Sequence, residues 1–404
     1  MRKSVFNLQV APIENLSVGF IGIGVRGIEA VKRYMLLDVT IRTVCDIEEK
    51  YVELARQITK NQSIIPIFYT QTNDWQKLCQ LPEIDLVYIS TQWDLHTEMA
   101  IFAMKQGKHV AIEVPLAMSV SDCWKIIRTA EETQRHCMML ENACYDTFEL
   151  ITLELIKKGL LGEIIHGEGA YIHDLRRLNF QQNDRDSLRG EWRIKYSQSH
   201  NGNPYPTHGI APICQAMNIL RDDYLTHLVS MSSLSLGMKR YAENTFGKNS
   251  PQAQIPFVMG DMNTTLIKTQ KGKTILLQHD ITSPRPYSRK YLLSGTKGFV
   301  QKYPSYEITF DPEGMQPIPI EKINELFAEN EPLLIKETSS LCQKLPEQKP
   351  MDIRMDYRLV YCLKNGLPLD QNVYDGALWS CLAELTEQSV NNGNAPINIP
   401  DFTQ

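Results

Sequence analysis

The chain has 404 residues, 43% of them hydrophobic and 22% charged, which is enough for two soluble domains with cores of their own. A formal net charge of -5 supplies no basic field, so nucleic acid is excluded as an implied partner, and no run approaches the roughly 18 apolar residues of a membrane span. The opening stretch, MRKSVFNLQVAPIENL, lacks an apolar h-region and a small-residue cleavage site and reads as a cytoplasmic start.

Taken in order, Leu16–Ile23 is a short apolar run ending in glycines, the pattern of a buried parallel strand. Val25–Met35 reads as helix, Thr40–Cys45 as strand, Glu48–Thr59 as helix, Ile84–Ser90 as strand and His96–Gln106 as helix. His109–Ile112, Ser121–Arg135 and Cys137–Leu140 continue the alternation. Strand and helix in turn predict an α/β doubly wound parallel sheet, a Rossmann domain over residues 1–142. Beyond Asn142 the rhythm changes. Phe148–Lys158 is helical, then come the strands Ile164–His173, Leu225–Ser233, Thr264–Thr269, Thr274–Gln278 and Tyr291–Leu293, two of them joined by a KTQKGKT hairpin. Residues 143–404 therefore read as a second, α+β domain with an open, largely antiparallel sheet. Arg176–Pro206 is polar and irregular, and the helices after Ile320 are expected to pack back on the first domain. The nine cysteines, Cys45, Cys79, Cys123, Cys137, Cys144, Cys214, Cys342, Cys362 and Cys381, form no CxxC pair and read as reduced, buried thiols, with no metal site.

The first strand runs into Gly22-Ile23-Gly24-Val25-Arg26-Gly27, the GxGxxG pattern. Gly22 suits the tight turn, Gly24 the close approach of a pyrophosphate, and Gly27 the packing of helix on strand. The amides at the helix N-terminus then bind phosphate. Asp46 closes the second strand, where a carboxylate holds the ribose hydroxyls and disfavours the extra phosphate of NADP. Cofactor and site are thus NAD, at Gly22, Gly24, Val25, Arg26, Gly27 and Asp46. Arg26 either adds a charge contact to phosphate or is a solvated helix residue. Trp93 and His96 follow the fourth strand at its carboxyl end, where ligands bind in such sheets, and Glu113-Val114-Pro115 follows the fifth. The domain resembles sugar oxidoreductases of the Gfo/Idh/MocA type, many of which carry EKP at that tripeptide. Val114 replaces the lysine and cannot move a proton, so the proton work falls elsewhere.

Polar candidates gather in the second domain and at its border: Glu141, Tyr171, His173, Arg193, Tyr205, His208 and Tyr287. Tyr171 and His173 are two apart and share a face in a strand. Tyr205 and His208 are three apart where a loop enters a helix. Histidine and tyrosine suit proton transfer when their surroundings tune them, although each taken alone also fits a structural role. The segments ENACY, YIHDLR, GEWR, GNPYPTHGIAPICQAMNI and VYDGALWSCLAELTEQSVNNGNAPINIPDFT resemble glycoside hydrolase family 109, whose members are NAD-dependent α-N-acetylgalactosaminidases on the Gfo/Idh/MocA fold. The resemblance runs from Leu16 to Thr403, and the EVP variant is similar to that family too.

That resemblance implies a catalytic role for His208, Tyr205 and Tyr171, and sugar binding by Glu141, His173, Arg193 and Tyr287. It also implies a route unlike the two-carboxylate mechanism of most glycosidases. Hydride passes from sugar C3 to NAD, a base removes the acidified C2 proton, the glycosidic oxygen leaves, water adds, and the hydride returns. The partner is then a small or glycan-terminal sugar, and the oligomeric state is open. Two other readings stand beside it: a net NAD-dependent sugar or inositol oxidoreductase, and a non-catalytic NAD- or sugar-binding sensor.

Overall fold

A computed structural model describes residues 3–180, 187–312, 314 and 316–404. The chain forms two compact units. One comprises Met1–Asp146, Leu333–Cys381 and Phe402–Gln404, the other Thr147–Pro332 and Leu382–Asp401.

The first unit is built from β1 (Ser17–Ile21), α1 (Val25–Tyr34), β2 (Thr40–Cys45), α2 (Glu49–Thr59), β3 (Ile67–Tyr69), α3 (Asp74–Gln80), β4 (Leu86–Ile89), α4 (His96–Lys105), β5 (His109–Ile112), α5 (Val120–Thr133) and β6 (Cys137–Met139). All pairings are parallel, in the order β3-β2-β1-β4-β5-β6. This is the doubly wound Rossmann order, and it reverses direction between β1 and β4, where a ligand crevice opens at the carboxyl ends. β1, β4 and β5 are buried along their whole length, as expected of strands covered on both faces. Each helix turns one stripe inward; α1 buries Ile28, Ala30, Val31 and Tyr34. α5 is capped by Ser119, whose hydroxyl accepts the Asp122 amide at 3.0 Å and satisfies one open N–H of the first turn. The elements β3 and α3 had no clear signal: three residues on a sheet edge, none of them buried, carry little pattern.

In the second unit, α6 (Thr147–Lys157) leads to β7 (Ile164–Ile172), α7 (Arg176–Asn179), α8 (Ser187–Ser197), α9 (Thr207–Ala216), β8 (Leu225–Ser232), α10 (Gly237–Phe246), β9 (Asn263–Thr269), β10 (Thr274–Asp280), β11 (Ser288–Gly295), β12 (Gly298–Gln301), β13 (Glu307–Phe310) and α11 (Ile320–Glu329). The C-terminal elements are α12 (Leu333–Lys344), α13 (Pro350–Asn365), α14 (Val373–Asn391) and β14 (Ile397–Asn398); α12 and α13 belong to the first unit. The sheet has eight strands in the order β13-β12-β11-β7-β10-β9-β8-β14. It is mixed, since β7 and β10 pair in parallel while the remaining pairs are antiparallel. The stretch expected to be irregular, Arg176–Pro206, contains α7 and α8 instead; its residues 181–186 lie outside the described residues.

A glycine pair fixes how α9 lies on β7. A Cβ on Gly169 would fall 2.1 Å from the Gly209 carbonyl oxygen, and one on Gly209 would fall 2.6 Å from the Ala170 nitrogen. Helix and strand therefore meet backbone to backbone, an approach only glycine allows. Gly169 is two residues before Tyr171 and Gly209 directly follows His208, so this contact also sets the distance between those two side chains. Among the described residues no helix is long and apolar enough to cross a membrane.

Candidate active site

The glycine turn of the first unit carries the conformations its residues were expected to supply. Gly22 has φ +76°, and its N–H donates to the Cys45 carbonyl at 2.8 Å. A Cβ on Gly27 would lie 2.4 Å from the Gly22 oxygen, so the first turn of α1 closes directly on the end of β1. Gly24 is different, for a Cβ there would meet nothing within 4 Å. The open space beside Gly24, at the N-terminus of a ten-residue helix, is the cradle a pyrophosphate needs. Asp46 reaches across from β2. Its Oδ2 accepts the Ile23 N–H at 2.6 Å and its Oδ1 accepts the Glu48 N–H at 2.8 Å. Burial pushes the Asp46 carboxyl up and these two amide donors oppose that. The donor set fits NAD: backbone amides for the phosphates and one carboxylate for the ribose hydroxyls.

Arg26 is partly exposed and is held by two carboxylates. Its Nη2 lies 3.2 Å from Glu113 Oε1 and 3.2 Å from Asp352 Oδ1, and its Nη1 donates to Asp352 Oδ2 at 3.4 Å. Glu113 also accepts the Tyr88 hydroxyl at 3.0 Å. Asp352, on α13, accepts the Asn142 side-chain N–H at 2.6 Å. Sequence reading found Arg26 and Glu113 but not Asp352 or Asn142.

Val114 is buried beside Pro115. His96 is fully buried too, with Nδ1 2.7 Å from the Pro115 oxygen and Nε2 3.3 Å from the Thr91 oxygen. Burial lowers its pKa against the opposing pull of those carbonyls. A neutral imidazole has one N–H, and the shorter contact assigns it to Nδ1. His96 thus ties the loop after β4 to the loop after β5. Trp93 sits half-buried in the short 3-10 helix Trp93–Leu95 of the former loop.

In the second unit four rings surround Tyr171. Its centroid lies 4.8 Å from Tyr205, 5.5 Å from His208, 5.8 Å from His173 and 6.2 Å from His279. The Tyr171 hydroxyl is 3.2 Å from His173 Nδ1. Tyr205 and His208 meet edge to face at 4.9 Å, and Tyr287 packs edge-on against His173 at 5.1 Å. Five of the seven expected residues, Tyr171, His173, Tyr205, His208 and Tyr287, are therefore one contiguous cluster. Most of its members are half-buried, and Tyr287 is 40% exposed.

His279 completes that cluster and was missed in the sequence. It is the register partner of Tyr171 on the adjacent parallel strand β10, so both side chains leave the same face. It is 2% exposed, and burial first, then the nearby charge of Arg193, lowers its pKa to about 3. It is a neutral imidazole inside the cluster. Arg193 on α8 is thereby placed near His279, with its guanidinium 4.3 Å above the Trp192 ring. Glu141 belongs to the first unit, is fully buried, and accepts the Ala143 N–H at 3.1 Å as the cap of the short 3-10 helix Asn142–Tyr145.

Fold and glycine turn together define a dinucleotide-binding enzyme. Residues 16–141 match the oxidoreductase family with an NAD-binding Rossmann fold, Gfo/Idh/MocA. Levoglucosan dehydrogenase, solved in complex with NADH and L-sorbose, has a TM-score of 0.72 at 18% identity, covering 96% of this chain and 100% of its own, a likeness of fold. An NAD binding oxidoreductase from Klebsiella pneumoniae gives 0.72 at 16% identity with the same coverage.

Residues 145–404 match the C-terminal domain of glycosyl hydrolase 109. Glycosyl hydrolase family 109 protein 2 of Phocaeicola vulgatus is 48% identical over 100% of this chain and 98% of its own length. An alpha-N-acetylgalactosaminidase of Bacteroides fragilis is 46% identical, covering 99% of this chain and 95% of its own. This chain belongs to glycosyl hydrolase family 109, and NAD is its cofactor.

Proposed function

We propose that the protein cleaves terminal α-linked N-acetylgalactosamine from its aglycone and restores its NAD within each turnover. The observation that carries this reading is the ring cluster around Tyr171. It is built of tyrosine and histidine, groups that move protons, on the part of the chain that matches the glycosyl hydrolase 109 domain. The sugar itself is proposed from the relative of Bacteroides fragilis, whose name specifies that activity.

NAD, when bound, supplies a reversible acceptor for the hydride at sugar C3. His208, edge to face with Tyr205, takes the C3 hydroxyl proton and later returns it. Tyr171 removes the proton at C2, which the C3 ketone has made acidic. His173 Nδ1, 3.2 Å from the Tyr171 oxygen, is the acceptor that frees the phenol to act as base. Loss of the C2 proton expels the glycosidic oxygen from C1, which leaves as the aglycone alcohol with a proton from solvent. Water adds to the enone at C1 with a proton returned to C2, and the C3 ketone is reduced again as His208 returns its proton. Arg193 and Tyr287 hold the sugar, and Glu141 acts from the end of β6. No proton step falls to Val114, a side chain with none to give.

We place the reaction in the cytoplasm. Eight of the nine cysteines are buried, and burial pushes the Cys45, Cys79, Cys137 and Cys362 thiols up to about 12, so they serve as packing groups.

A panel of α- and β-linked aryl glycosides, with aglycone release and NADH absorbance followed in parallel, tests the reading. It predicts release from the α-N-acetylgalactosaminide with no net NADH. Stoichiometric NADH would indicate a net oxidoreductase instead.

A further inference from the structure

The carboxylate of Asp352 touches two distant segments at once. It lies on α13, near the other end of the chain from the glycine turn, yet its two oxygens meet both terminal nitrogens of Arg26, at 3.2 and 3.4 Å. Arg26 is the fifth residue of the GxGxxG stretch. The same Oδ1 accepts the Asn142 Nδ2–H at 2.6 Å, just beyond β6. Glu113, just beyond β5, completes the grip on Arg26. These are carboxyl ends of the Rossmann sheet, the side on which such sheets bind ligands.

Two features separate this network from a plain structural ion pair. A carboxylate can only accept hydrogen bonds, so Asp352 forces the NH2 of Asn142 towards itself and turns the amide oxygen the other way. That oxygen is buried and has no partner among the described residues, in a residue only 6% exposed. A buried acceptor without a partner is costly unless a ligand supplies the donor. In addition, Arg26 is held from outside the glycine turn, so the turn is kept in one shape by α13 as well as by its own glycines. Burial works against ionisation of Asp352, but the Arg26 and Arg33 charges outweigh it and hold the carboxyl down to about 2. The clamp therefore stays charged at neutral pH.

We propose that Asp352 is a positioning residue for the cofactor, fixing Arg26 and the amide orientation of Asn142 so that the site is shaped before NAD arrives. A preorganised site loses less entropy on binding, and the gain appears as affinity. Asp352 touches neither the cofactor nor the sugar in this account, and the inference is independent of which sugar is cleaved.

The test is NAD binding by the full-length apoprotein, measured by titration calorimetry beside its melting temperature. Asp352→Asn takes the charge out of both Arg26 contacts and the Asn142 contact and should raise the Kd for NAD about tenfold or more. Asp352→Glu keeps the charge but moves the carboxylate out by one methylene. A merely structural ion pair tolerates that change, whereas a positioning role predicts a severalfold rise in Kd with the apoprotein melting temperature unchanged. Wild-type affinity in either folded variant would overturn the proposal. Failure of both variants to fold would assign Asp352 to the scaffold and overturn it equally.

Discussion

Tyr171 and His279 are register partners on adjacent parallel strands, and their rings lie nearly parallel, 6.2 Å between centroids and 24° between planes. The imidazole is buried and neutral, so it fixes one face of Tyr171 without adding charge beside a phenol proposed to give up its proton. Replacing His279 by Leu should lower kcat/KM for the glycoside about tenfold, the upper end of what an aromatic pair contributes. The Kd for NAD should not change, because the role of His279 is to pack on Tyr171. Steady-state kinetics beside NAD titration checks both.

His208 carries the heaviest chemical role in the proposed cycle. His208→Ala should lower kcat by about a hundredfold or more, the range of a lost general acid–base group, while NAD stays bound. Turnover near the wild-type rate would remove His208 from the mechanism.

The glycine turn offers a paired test of packing against ligand contact. A methyl at Gly27 would lie 2.4 Å from the Gly22 oxygen, whereas one at Gly24 meets nothing within 4 Å. Gly27→Ala should therefore lower the melting temperature of the apoprotein, at a cost of about 1–3 kcal/mol for an overpacked contact. Gly24→Ala should leave that temperature alone and still weaken NAD binding if the open space beside it is where the pyrophosphate binds. Thermal melts with and without NAD separate the two outcomes.

His109 and His136 form a buried pair in the Rossmann unit, 5.3 Å between ring centroids. The His136 amide donates to His109 Nδ1 at 3.0 Å, a bond a proton on that nitrogen would break. Burial, reinforced by the neighbouring positive charges, lowers the two pKa values to about 3 and about 4. Unfolded, each ring would titrate near about 6.5. Below that pH the unfolded chain takes up protons that the folded chain refuses. The stabilising contribution is thus full above pH ~6.5 and is lost as pH falls towards the folded values. Urea midpoints should drop over that window, and His136→Asn should flatten the slope. An unchanged slope in that variant would contradict the assignment.

Much of the candidate cofactor site was legible because it is local. Strand, glycine turn and helix follow one another within residues 17–34, and Asp46 closes the next strand. The Tyr171–His173 pair is local as well, and the Tyr205–His208 pair nearly so. What sequence reading missed depends on distant register. His279 reaches the cluster only because β10 pairs in parallel with β7 more than a hundred residues away, and strands read in succession suggested antiparallel neighbours. Asp352 is 326 residues from its partner Arg26 and looks, in sequence, like any acidic residue in the first turn of a helix. The helices in Arg176–Pro206 were hidden by their polarity, since helical periodicity needs an apolar stripe to be seen.

In the proposed cycle an α-N-acetylgalactosaminide is cleaved by elimination and re-addition with the cofactor restored. Turnover of an aryl α-N-acetylgalactosaminide in deuterated water, with the released sugar examined by NMR, tests it most directly. The account predicts deuterium at C2 of the product and no net NADH. A product that keeps its original hydrogen at C2 would contradict it.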